Sequence, residues 1–222
     1  MTQTCSDQHQ LPQTLQGLNP KEQYRAIFAS NSPEALVQSL PLTAFARISH
    51  GVGADPLLIQ LATAEQIRFT LDLELWQEWS ISIEGMGLWI EAFLEAGNDK
   101  AAGILSQLDP ELLLIYLKNC ISVGGGLSDI IGSEDFSGEW DHTFDEIFYI
   151  SIIDEEQREL VLRMLDLLYS EQHSLYRSLM LGVESDLLTE LEELAWQFRS
   201  GRLGDEGLAE SATAASLFDR GN

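Results

Sequence analysis

The sequence predicts a mainly α fold: an array of about ten short-to-medium, helical-repeat-like helices with one small β-hairpin near residues 140–153. Three observations carry this prediction. A polar residue followed by proline, a helix-start signal, occurs at Asn19-Pro20, Ser32-Pro33, Asp55-Pro56 and Asp109-Pro110. Leucine-rich stripes at helical spacing follow these starts. Aromatic and β-branched residues crowd the two arms Trp140 to Phe144 and Ile147 to Ile153.

Residues 1–20 are polar and read as a flexible tail, and residues 21–218 as a single helical domain. Asn19-Pro20 opens a helix through Lys21 to Ala29. At Ser32-Pro33-Glu34 the serine caps, the proline fits the first position and the glutamate suits the positive dipole end. Pro41 stops that helix, and Leu42 to Ile48 forms the next, ended by Gly51 or Gly53. Asp55-Pro56 repeats the start, and Thr63 with Gln66 has capping-box spacing ahead of a short helix running into a loop. Ile83 to Ala96 is the best amphipathic helix of the first half, stopped by Gly97; Asp99 caps its successor. Asp109-Pro110 then starts a helix from Leu112 to Ile121 that is apolar nearly all round and predicts the central core element. Ser122 to Gly126 and Gly132 to Gly138 read as loops before the hairpin. Helices follow after Asp154-Glu155-Glu156-Gln157, over about Ser174 to Leu181, and from Ser185 or Asp186 to near Gly201. The spacing of the proline starts suggests stacked helical hairpins.

Charge narrows the function. The chain has 12 Lys+Arg and 36 Asp+Glu, a net charge of 12 − 36 = −24. Its first 110 residues carry 5 − 13 = −8 and the remaining 112 carry 7 − 23 = −16. Nucleic-acid binding, which rests on basic side chains displacing counterions, is excluded, and so is a basic patch for anionic membrane. No run approaches the length of a membrane span, so no membrane insertion is expected. The acidic balance reads first as solubility through self-repulsion; the sharper readings are a basic partner or divalent cations. Cys5 and Cys120 lie in unlike contexts and indicate no disulfide. With no apolar leader at the N-terminus, the expected location is cytoplasmic.

No catalytic motif is present, and no cofactor is expected. Gly124-Gly125-Gly126 lacks the lysine of a phosphate loop, and no Gly-x-Ser-x-Gly elbow occurs. His9, His50, His142 and His173 form no ligand pair. The densest acidic stretch is Glu134, Asp135, Glu139, Asp141, Asp145 and Glu146, around His142. Glu139, Asp141, Asp145 and Glu146 are the candidate cation ligands, since hard cations want several carboxylate oxygens. Asp141 or Glu146 beside His142 is the candidate acid–base group of an enzyme reading. Trp76, Trp79 and Trp140 are candidate anchors for a protein partner. At the C-terminus Arg199 or Arg202 is expected to reach Asp205 and the helix carbonyls, with Gly201 and Gly204 turning the chain and Leu203 and Leu208 tucked onto the core. On that reading Arg202→Ala costs about 1–2 kcal/mol.

The segment Trp196-Gln-Phe-Arg-Ser-Gly-Arg-Leu-Gly-Asp-Glu-Gly207 resembles the closing signature of an uncharacterised, mostly helical bacterial family known only as a domain of unknown function. Arg199, Arg202, Leu203, Asp205 and Gly207 match its Arg-x-x-Arg-Leu-Ala-Asp-x-Gly-Phe pattern; Gly204 stands for the usual Ala and Leu208 for Phe. Asp154 to Tyr169, Leu36 to Pro41 and Leu108 to Leu113 also resemble it in order, so the likeness spans most of residues 30–218. A fainter likeness, in helix starts alone, is to the acidic cytosolic superhelical domain of bacterial magnesium channels. The first resemblance implies a fold and no reaction. The functional expectation is a non-enzymatic protein-interaction or regulatory module; the alternatives are a divalent-cation-responsive module and an enzyme of unrecognised type.

Overall fold

In the computed structural model, residues 11–126 and 140–208 are described. The chain divides into two compact units, residues 1–76 with 199–222 and residues 77–198. The fold is mainly α: eleven α-helices and two two-stranded antiparallel sheets are present among the described residues.

The first unit contains α1 (Pro20–Phe28), α2 (Pro33–Gln38), α3 (Leu42–Val52), α4 (Pro56–Leu61) and α5 (Ala64–Glu74). Local chemistry explains most of these starts. Asn19 and Glu22 form a reciprocal capping box on α1, and Thr63 and Gln66 form another on α5. The Asp55 side chain accepts from the Leu58 amide. Ser32 begins α2 without capping it: at φ −144° and ψ 69° its backbone is off the extended conformation from which a cap hydroxyl reaches the helix amides. Pro33 and Glu34 remain to start that helix. Residues 11–19, expected as tail, include a 3-10 turn at Gln13–Leu15 whose Leu15 is fully buried and whose carbonyl accepts from Gln23 Nε2.

Helix α5 runs on to Glu74 where a loop was expected, because Ile67, Phe69 and Leu71 are all buried in this unit. Buried Gln66 is satisfied along with them, its Nε2 donating to the Val37 and Leu40 carbonyls. The last turns of α11 (Leu188–Asp205) also belong here. That helix continues past Gly201. It stops at Gly207, where φ is +74° and the Leu208 and Gly207 amides donate back to the Leu203 and Gly204 carbonyls. This is a Schellman stop, with its usual apolar contact between Leu203 and Leu208 in a cluster with Ala46 and Phe69. The turning glycine is thus Gly207, and Gly201 and Gly204 are helical.

After Trp76, the last residue of that stretch of the first unit and the first of β1 (Trp76–Gln77), the second unit holds β2 (Ser80–Ile81), α6 (Ile83–Glu95) and α7 (Asn98–Leu105). Ser82 caps α6 by accepting from the Gly85 amide. Gly97, at φ +113°, is the N-cap of α7, which leaves Asp99 in the first turn and not at the cap. In α8 (Pro110–Cys120) every residue from Leu112 to Leu117 is buried, as the apolar run predicts. Then come β3 (Ile121–Gly125), β4 (Phe148–Ile152), α9 (Arg158–Glu171), α10 (His173–Ser185) and the start of α11.

The expected hairpin changes partner. Strand β4 forms, but its ladder is with β3, in the register Ile121–Ile152, Val123–Ile150 and Gly125–Phe148. The other expected arm meets β4 at one bridge, His142 to Ile150. The connecting turn explains why. Asp145 Oδ1 accepts from the Ile147 and Phe148 amides, Thr143 Oγ1 accepts from the Glu146 amide, and Glu146 sits at φ +58°. Those amides are spent on the turn and cannot extend a ladder to residues 143–144.

Candidate functional site

A groove of about 580 Å³ lies in the second unit between α6 and the start of α9 with the residues just before it. Its α6 wall is Ile83, Glu84, Gly87, Leu88 and Glu91, one face of the helix at 3.6-residue spacing. The opposite wall is formed by Asp154, Glu156, Gln157, Glu159, Leu160 and Arg163. Five carboxylates and one guanidinium give the groove a charge of 1 − 5 = −4. Glu84, Glu91, Glu156 and Glu159 form no ion pair with a described residue. Ile83, Leu88 and Leu160 supply its apolar surface, and Leu88 is 58% exposed.

One polar group in the groove is fixed from behind. Tyr116, wholly buried on α8, donates its hydroxyl to Gln157 Oε1 at 2.9 Å. Burial, reinforced by Cys120 and Asp154, holds the phenol far above its ordinary pKa, so it stays a donor. The same burial pushes the Cys120 thiol up to about 11. Gly87 makes room for the carboxamide: a Cβ there would stand 2.6 Å from Gln157 Oε1.

The residues singled out from the sequence are placed elsewhere. Glu134, Asp135 and Glu139 lie outside the described residues, as do Cys5 and His9. Asp141 accepts from the Ile152 amide at 2.9 Å and pairs with Arg158 at 3.0 Å. Asp145 caps its own turn, and Glu146 is exposed. His142 packs edge-on against Phe144 at 4.3 Å, in a cluster that continues through Tyr169 and Tyr176. Among the described residues no three His, Cys, Asp or Glu side chains converge where a metal could be held. Of the candidate anchors, Trp79 is 69% exposed and lies 4.5 Å from Trp196. Trp76 carries Arg199 over its ring at 5.4 Å, and Trp140 packs on Gly124 and beside Tyr149.

Hydrogen bonds to the Ile152 amide and to Arg158 hold the Asp141 carboxyl below the usual carboxylate range. A depressed folded pKa means stabilisation that is present above the unfolded pKa, about 3.9, and lost as pH falls through the folded value. The melting-temperature gap between wild type and Asp141→Asn is therefore expected to be widest near neutrality and to close in acid. A gap of constant size down to strong acid contradicts this role.

The C-terminal signature binds a residue the sequence reading passed over. Asp72 on α5 is 3% exposed, and Arg202 holds its carboxylate bidentately, Nε to Oδ2 at 2.6 Å and a terminal nitrogen to Oδ1 at 2.8 Å. Arg199 Nε donates to the Asp72 carbonyl at 2.7 Å, and burial lowers the Arg199 pKa. The expected acceptor, Asp205, is exposed at the end of the helix; a desolvated carboxylate is the stronger partner for a fork of parallel N–H groups. The available signal was Asp72 itself, an acid set between Leu71 and Leu73 in an otherwise apolar stretch.

A sequence family described as a family of unknown function, DUF6178, matches residues 3–221. The chain belongs to that family. No curated protein and no solved structure matches it. Membership in DUF6178 carries no assigned reaction, so any functional reading rests on the groove. Among the described residues no helix is long and apolar enough to cross a membrane.

Proposed function

We propose that the protein is a non-enzymatic protein-interaction module whose acidic groove receives a basic segment of a partner protein. The observation that carries this is the groove itself: five carboxylates against one arginine, around an apolar strip of Ile83, Leu88 and Leu160. Charge complementarity steers a basic partner to such a surface and selects against acidic ones. The carboxylates are spread along two walls and no three converge on one point, so their complement is an extended cation with separated charges. The enzyme alternative loses support from the placement of its residues. Asp141 is held by Arg158 and a backbone amide, Glu146 is exposed, and His142 packs among aromatic rings. A cytoplasmic location suits this function, since the buried thiol of Cys120 stays reduced there.

The test is fluorescence anisotropy with a labelled amphipathic Lys/Leu peptide. Binding is expected at low ionic strength, weakening as salt shortens the Debye length. Neutralising Glu84, Glu91 and Glu159 together to glutamine is expected to weaken it about tenfold, roughly 1.4 kcal/mol. No binding at any salt concentration, or equal binding by the neutralised variant, overturns the proposal.

A further inference from the structure

We infer that Gln157 makes the groove selective for a polypeptide main chain over other organic polycations; the inference rests on the reading of the groove as a cation-binding site. An ionised carboxylate only accepts hydrogen bonds, so Glu84, Glu91, Asp154, Glu156 and Glu159 ask a ligand for donors alone. Any polyamine would meet that demand. Gln157 asks for something else. Its Oε1 is occupied by the Tyr116 hydroxyl, which leaves the two Nε2 hydrogens as donors with no partner among the described residues. Tyr116 is fully buried and keeps its proton, so the carboxamide is held in this sense from behind.

The helix opposite is shaped around it. Glycine inside a helix is unfavourable relative to alanine by roughly 0.5–1 kcal/mol, and at Gly87 any side chain would strike the Gln157 carboxamide. A main-chain carbonyl supplies the acceptor that these donors require, and a polyamine has none. The ligand class is therefore a basic peptide segment, lysine or arginine side chains meeting the carboxylates and one carbonyl meeting Gln157.

Gln157→Glu tests this by opposing signs. The glutamate keeps an acceptor for Tyr116, removes the Nε2 donors and adds one negative charge. Electrostatics alone predicts tighter binding of every polycation. Main-chain reading predicts that the labelled Lys/Leu peptide binds about tenfold more weakly while spermine, followed by competition, binds as well or better. If the peptide tightens together with spermine, the inference is wrong. If neither ligand binds the wild-type protein, the groove reading fails and this inference with it. Should Gln157→Glu not fold, Tyr116→Phe reads the same device. Releasing the carboxamide is expected to narrow the preference for peptide over spermine, and an unchanged preference overturns the inference.

Discussion

Replacing Arg202 with alanine is expected to destabilise the protein by about 3–5 kcal/mol, the penalty for leaving a buried charge without its partner. The magnitude follows from Asp72. Its side chain is 4% exposed against 24% for Arg202, so the carboxylate loses both fork hydrogen bonds where water cannot replace them. Arg199 is an incomplete substitute: its charge acts on Asp72, but its Nε is engaged by the Asp72 carbonyl and its guanidinium lies over Trp76. Arg202→Lys keeps the charge but not the fork, and is expected to recover only part of the loss. The denaturation midpoint checks the series. The double variant Asp72→Asn with Arg202→Met, which removes the stranded charge, is expected to be more stable than Arg202→Ala alone. A midpoint for Arg202→Ala equal to wild type would show that the pair does not hold this unit together. The figure exceeds the 1–2 kcal/mol that suits an arginine pairing with an exposed Asp205, and the excess is the desolvation of Asp72.

What could be read from the chain tracks the range of the interactions. The capping box at Thr63 is written within three residues and forms as spaced, and the helix start at Asn19-Pro20 gains a box of its own through Glu22. The apolar run of α8 predicts a core helix because burial on all sides needs no knowledge of its neighbours. The bond of Arg202 to Asp72 joins residues 130 positions apart. Nothing local distinguishes Asp72 from a solvated acid except the leucines beside it. The groove was hidden for a related reason. Acid density drew attention to residues 134–146, whereas Glu84 and Glu91 on α6 and Asp154 to Glu159 before and within α9 gain meaning only when the two segments face each other. Tyr116 and Gln157, 41 residues apart, are likewise an arrangement of the fold and not of the sequence.

Gly125→Ala is expected to cost about 2–5 kcal/mol, combining a positive-φ penalty of roughly 1–2 kcal/mol with overpacking of about 1–3 kcal/mol. In sequence, Gly124-Gly125-Gly126 reads as a flexible connection. In the fold, Gly124 and Gly125 are strand, and each glycine is pressed by a neighbour. A Cβ at Gly124 would lie 2.5 Å from the Trp140 ring. At Gly125, where φ is +106°, a Cβ would fall on the Ile147 carbonyl oxygen. An aromatic ring can shift by a few tenths of an ångström; a backbone carbonyl cannot, because the next residue, Phe148, pairs with Gly125 in the ladder. The turn adds a second restraint, since Asp145 Oδ1 accepts from both the Ile147 and Phe148 amides. Accommodating the methyl group therefore requires β3 and β4 to part at this end or the turn to open. Gly124→Ala, with only the ring to displace and no positive φ, is expected to cost less. Midpoints of thermal unfolding for the two variants provide the comparison. Equal losses at the two positions would mean that strand flatness against Trp140, and not the backbone approach at Ile147, is what requires glycine in β3.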